Sequence, residues 1–164
     1  LAERGEPFGL EDFVPFGYDE RQFCSPGFNL PVGSLTRTPY GRYPEYHTSA
    51  DDLDFVTAEA LAESLKVYLQ VLAVLEDNGV YRNLKPYGEP QLGRRGLYRA
   101  IGGEGSRERE LALLWVLNLS DGEHDLLAIA ERAKLPFAAV HRAAQALLGA
   151  DLLQALDTDE EGSF

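Results

Sequence analysis

Residues 124–156 read "HDLLAIAERAKLPFAAVHRAAQALLGADLLQAL". The part "HDLLAIAERAK" (124–134) repeats apolar residues at three- and four-residue steps, as an amphipathic helix does. "KLPF" (134–137) makes a four-residue turn, and Pro136 suits the first position of a second helix, where a missing N–H costs nothing. That helix turns Phe137, Val140, Ala144, Leu147 and Leu148 inward and ends at Gly149. "DLLQAL" (151–156) follows as a short strand.

Just upstream, "RERELALLWVLNL" (107–119) predicts another helix, with Leu111, Leu114, Trp115 and Leu117 inward. In "SDGE" (120–123), Ser120 and Glu123 fit a capping box, which satisfies two free amides at a helix start. Three helices, the last two joined by a tight turn and followed by a strand, predict a winged-helix or helix-turn-helix unit over 107–156. A second wing strand is not visible. The acidic tail "DTDEEGSF" (157–164) is expected to fray.

Residues 79–106 differ in character. "VYRNLKPYGEPQLGRRGLYRAIGGEGS" (80–106) sets Arg82, Lys85, Arg94, Arg95 and Arg99 against Glu89 and Glu104, a local charge of +3 in a chain of net charge −12. Tyr81, Tyr87 and Tyr98 are interleaved. Two readings stand side by side. One is an inter-domain linker whose arginines pair with an acidic surface. The other is a contact for an anion or a sugar.

Residues 57–78 form the clearest helix. Thr57 is a good N-cap and Glu59 sits in the first turn, where the helix dipole favours an acid. Leu61, Leu65, Leu69, Leu72 and Leu75 make an apolar stripe that needs a cover, and Asn78-Gly79 stops the helix. Before it, six prolines and six glycines break residues 1–47 repeatedly. Short strands are expected at 12–18 and 28–38, with Pro31 placing the second at an edge or bulge.

The bulk numbers set limits. A chain of 164 residues fits one ordinary domain or two small ones. No apolar run reaches membrane-spanning length, because Lys66 and Gln70 interrupt the longest one. No membrane contact is expected. The first residues lack the basic-then-apolar order of a secretory leader. Cys24 is the single cysteine, so no internal disulfide forms, and the cytoplasm is the expected compartment. The chain starts at Leu1 and has no methionine; of two readings, a trimmed chain or the C-terminal part of a longer polypeptide, the second is the expectation.

One further stretch carries chemistry. "EYHTSADDLD" (45–54) places His47 beside Asp51, Asp52 and Asp54. The three aspartates read as caps for the coming helix. "YDERQF" (18–23), then "FNLPVGSLTRTPYGRYPEYHTSADDLDFV" (28–56), then a long helix, together resemble the C-terminal end of zinc-dependent aminopeptidase-like proteins. The similar subgroup carries a winged-helix domain after the peptidase-like domain and is associated with polysaccharide biosynthesis. The resemblance covers residues 12–156. It implies that His47 is the last zinc ligand and that Asp19 lines the metal site, although Tyr18 precedes it where serine or aspartate is usual. It also implies a peptide or aminoacyl-like small molecule as substrate of the whole protein.

The family's other zinc ligands and its general-base glutamate have no counterpart in this sequence. Zinc needs three or four ligands, so this chain alone is expected to hold none and to be non-catalytic. His124 and His141 read as structural residues, and Cys24 as a small half-buried one, although a thiolate is also a zinc ligand. The expected fold is α+β. An aminopeptidase-like segment (1–78, two short strands and a long helix) and a linker (79–106) precede a three-helix winged-helix-like domain (107–156).

Two functions compete. One is the C-terminal fragment of a zinc aminopeptidase-like hydrolase, and the other a non-catalytic interaction module built on the winged-helix unit. DNA is not an expected partner: residues 107–164 hold five cations against eleven acids, and groove-reading helices come with a basic footprint. A homodimer or higher oligomer is expected, with Leu65, Leu69 and Leu72 buried in its interface or against the helical unit.

Overall fold

The computed structural model describes Gly5 and residues 7–98 and 106–156. The chain divides into two units, Leu1–Val67 and Tyr68–Phe164. The tail 157–164, with Arg99 and Glu104 of the basic stretch, lies outside the described residues.

In the first unit the regular elements, among the described residues, are a short helix α1 (Asp19–Phe23) and the first half of α2 (Ala58–Asp77). The strands expected at 12–18 and 28–38 do not form. A strand exists only when its amides and carbonyls find a partner strand. Here those groups bond locally. The Phe28 and Asn29 amides donate to Ser25 O at 3.1 and 2.7 Å, and the Leu30 amide donates to Phe23 O at 2.9 Å. Asn29 turns the chain with φ of 48°.

Thr57 caps α2 as expected, its hydroxyl accepting from the Ala60 amide at 3.2 Å. The aspartates before it act on a turn of their own: Asp52 Oδ1 accepts from the amides of Asp54 and Phe55 at 2.9 and 3.2 Å. The leucine stripe stays open, with Leu61, Leu65, Leu69, Leu72 and Leu75 between 54% and 64% exposed. From this helix, only the partly buried Val74 packs on the core among the described residues.

The second unit is built around a three-stranded antiparallel sheet in the order β2-β1-β3. Its central strand is β1 (Val80–Asn83), so residues expected to be linker instead form the middle of the domain. A 3-10 turn (Leu92–Arg95) follows and inserts Leu92, only 1% exposed, into the core. Then come α3 (Ser106–Leu119), β2 (Asp121–Asp125), α4 (Leu126–Ala133), α5 (Phe137–Leu148) and β3 (Leu153–Leu156). The partner that β3 lacked in the sequence is β1, in the register Tyr81↔Ala155 and Arg82↔Gln154.

Three helices and the closing strand stand where expected, and three details differ. The inward face of α3 is Ala112, Leu113, Val116 and Leu117, with Leu111 exposed and Leu114 and Trp115 partly buried. An apolar run as continuous as 111–117 does not fix its own phase; packing against α4 and α5 does. Pro136 sits at the N-cap of α5 and not at its first helical position. The Ser120–Glu123 capping box does not form, because residues 121–125 pair with β1 and α4 starts only at Leu126. Its cap is Asp125, whose Oδ1 accepts from the Ala128 amide at 2.7 Å.

The core joins Leu92, Leu113, Val116, Leu126, Ile129, Val140, Leu147 and Leu152, all essentially inaccessible. Burying a side chain of this size contributes about 1.5–3 kcal/mol.

Candidate functional site

In the first unit a file of rings runs from the neighbourhood of Asp19 to His47. Tyr18 meets Tyr40 edge-on at 6.2 Å, Tyr40 stacks on Tyr46 at 6.3 Å, and Tyr46 stacks on the His47 imidazole at 4.1 Å. Tyr43 closes the far side, edge-on to Tyr46 at 5.5 Å and stacked on Phe55 at 5.7 Å. The aromatic run of the sequence thus becomes a platform that carries the imidazole.

Glu20 pins one end of this file. Its Oε1 accepts from the Tyr40 hydroxyl at 3.0 Å, and its Oε2 accepts from the Tyr18 amide at 3.2 Å. A hydrogen bond from its own backbone amide, and next the one from Tyr40, hold the Glu20 carboxyl below its ordinary range. The same bond raises Tyr40, and a side-chain hydrogen bond with Tyr18, first among its causes, raises Tyr46. Gly17 makes room: its φ is 120°, and a Cβ there would lie 2.6 Å from the Tyr40 hydroxyl oxygen and collide with the Glu20 carboxylate. Glu20 had no role in the sequence reading. The tyrosines around it were its only signal.

His47 is exposed and has a left-handed backbone, φ 58°. Such a φ is uncommon outside glycine, asparagine, aspartate and histidine. Thr48 supports the turn, its hydroxyl donating to Glu45 O at 2.9 Å and accepting from the Ala50 amide at 3.2 Å. Asp19 is exposed in the first turn of α1. Cys24 is half-buried, with Sγ 3.8 Å from Val32 O, as a structural thiol would be. Among the described residues no three His, Cys, Asp or Glu side chains gather as a metal site. An imidazole such as that of His47 is a donor of the kind zinc takes, and a complete zinc site needs three or four such donors.

In the second unit α5 would be the groove-reading helix. Its one arginine is Arg142. His141 is engaged internally. Gln145 Nε2 lies 3.0 Å from its Nε2, so the amide donates to the ring and the ring proton sits on Nδ1, which faces Asp77 Oδ2 at 3.4 Å. Phe137 stacks on the same ring at 6.2 Å. His124 serves structure too, its Nδ1 paired with Asp121 Oδ2 at 2.8 Å.

The arrangement of helices and sheet has a family counterpart: residues 79–155 match the model of a winged helix-turn-helix. The second unit is a winged-helix domain. Its boundary lies one residue before β1, so the family unit includes this strand, which falls in the stretch expected to be a linker. Residues 1–78 match a domain of unknown function, DUF4910. The chain is 50% identical over 155 residues to the "Putative polysaccharide biosynthesis protein with aminopeptidase-like domain" of Clostridium acetobutylicum, covering 94% of this chain and 36% of that protein. It is also similar to the crystal structure of a "putative peptidase" from Clostridium acetobutylicum, with a TM-score of 0.82 and 45% identity. That match covers 95% of this chain and 34% of the other. The chain thus spans about a third of the length of these relatives.

Proposed function

We propose that this chain serves as the C-terminal portion of a zinc-dependent aminopeptidase-like hydrolase, with His47 as one zinc ligand and Asp19 lining the site. The observation that carries this reading is the 50% identity to a protein named for an aminopeptidase-like domain, of which the chain spans 36%. The shape of the His47 turn supports it. His47 is exposed and its imidazole stacks on Tyr46, a contact that can orient a ligand. The remaining ligands and the general base come from the rest of the longer polypeptide. The substrate class is a peptide or an aminoacyl compound. When bound, zinc supplies an activated water and polarises the scissile carbonyl.

The open face of α2 fits the same reading. Five leucines left in water each forgo about 1.5–3 kcal/mol, and a peptidase-like remainder would cover them. The winged-helix domain then acts in packing and not in DNA recognition, given its excess of acids and single α5 arginine.

A second reading, a non-catalytic interaction module, rests on that leucine face alone: two copies of the chain would cover it for each other. Hydrolysis of aminoacyl p-nitroanilides separates the readings. The longer polypeptide with zinc is expected to turn them over, and the 164-residue chain is not. Turnover by the purified chain, or none by the longer protein with any aminoacyl or dipeptide substrate, would contradict the first reading.

A further inference from the structure

The loop after β1 is fastened at both ends. The Leu84 amide donates to Leu152 O at 2.9 Å, and Leu92 and Leu97 are buried in the core. Pro86 and Pro90 stiffen the span between, and Gly88 makes its turn with φ of 95°. Arg95 Nη1 donates to Ala150 O at 2.9 Å, which fixes that side chain while leaving its other N–H donors available. These residues frame a cleft of about 460 Å³, lined among others by Lys85, Tyr87, Glu89, Arg94 and Arg95. That volume lies within the range of small-molecule sites.

Its charge is the reverse of the chain's. Three cations meet one carboxylate, in a protein of net charge −12. Lys85, Arg94 and Arg95 form no ion pair among the described residues. The one carboxylate, Glu89, accepts from the Tyr98 hydroxyl at 3.1 Å. At the cleft's edge Tyr87 is 101% exposed, an aromatic ring presented wholly to solvent. Cations gathered without a carboxylate partner favour an anion. Two guanidinium forks with an ammonium beside them offer more donors than a carboxylate's two oxygens use, and match the three oxygens and near-double charge of a phosphate ester. The free ring adds a stacking face.

We propose that this cleft binds a phosphate ester of a small ring-bearing molecule. Arg94 and Arg95 hold the phosphate, Lys85 adds charge, and Tyr87 stacks on the ring. The site belongs to the winged-helix domain, and its ligand is independent of the peptidase reading.

Calorimetric titration of the full chain at low salt tests this, with AMP, glucose 1-phosphate, inorganic phosphate and adenosine as probes. The phosphate esters are expected to bind saturably, more tightly than inorganic phosphate, and adenosine is expected not to bind. Stronger AMP binding would identify a nucleotide site and stronger glucose 1-phosphate binding a sugar-phosphate site. Arg94→Ala and Lys85→Ala should each weaken the esters by about tenfold. Tyr87→Ala should weaken the esters by about fivefold or more while leaving inorganic phosphate unchanged. All three side chains are exposed, so unchanged thermal melting will show that the variants fold. No saturable binding of any phosphate, or binding indifferent to Arg94→Ala and Lys85→Ala, overturns the site. Inorganic phosphate binding as tightly as both esters overturns the role of Tyr87.

Discussion

Asn78 and Asp125, 47 residues apart, meet through a hydrogen bond from Asn78 Nδ2 to Asp125 Oδ2 at 2.9 Å. Together with Gly79 they satisfy the first turn of α4. The Leu126 amide donates to Gly79 O at 3.1 Å, the Leu127 amide to Asn78 Oδ1 at 3.0 Å, and the Ala128 amide to Asp125 Oδ1 at 2.7 Å. The end of α2 is thereby tied to the start of the helix-turn-helix. Losing one cap costs about 1 kcal/mol. Asn78→Ala and Asp125→Ala are each expected to destabilise by about 1–2 kcal/mol, and the double variant by less than their sum, because the pair shares a bond. Urea unfolding of the four proteins measures this. Strict additivity would mean that the two caps act separately.

Ser120 gives the opposite sign. It is 2% exposed, and its hydroxyl has no partner among the described residues. A buried polar group without a partner is a net cost. Ser120→Ala should raise stability, by up to about 1 kcal/mol, read as a higher urea midpoint at unchanged slope. A lower midpoint would show that the hydroxyl is satisfied in solution.

The Glu20–Tyr40 bond should make the first unit sensitive to pH at both extremes. Glu20 is depressed, so its contribution is full above the unfolded carboxyl value and is lost as pH falls through the folded one. Tyr40 is raised, so its contribution is full below the ordinary value of 10.0 and is lost as pH rises through the folded one. Near-ultraviolet circular dichroism of the tyrosines should follow both limbs, and Glu20→Gln should flatten the acid limb. An acid limb unchanged in Glu20→Gln would place its origin elsewhere.

The open stripe of α2 predicts that the isolated chain self-associates. Sedimentation equilibrium at high micromolar concentration should show a dimer or larger species, returned to monomer by Leu65→Glu with Leu72→Glu. In the longer polypeptide the same changes should lower stability without altering the mass. A strict monomer of the unchanged chain would contradict this.

The helix starting at Thr57 and the helix-turn-helix were legible because their signals are local: a cap, a 3.6-residue period, a turn proline. The central strand 80–83 was not, since its partners lie about 40 and 70 residues downstream. The same reason explains the two strands wrongly expected at 12–18 and 28–38, with which no described segment pairs. Ser120 and Glu123 matched a capping pattern that the β1 pairing overrode. At the candidate site, His47 and Asp19 came from motif resemblance. Glu20 and the tyrosine file became visible only in three dimensions, because contacts such as Tyr18 to Tyr40 cross more than 20 residues.

Zinc content tests the proposed origin of the chain most directly. The longer polypeptide, dialysed against buffered zinc, should retain the metal stoichiometrically, and His47→Ala within it should weaken that affinity by more than about 100-fold. The isolated 164-residue chain should hold no tightly bound zinc. Full zinc retention by the His47→Ala protein, or tight stoichiometric zinc in the isolated chain, would contradict the assignment of His47 as one ligand of a site completed from elsewhere.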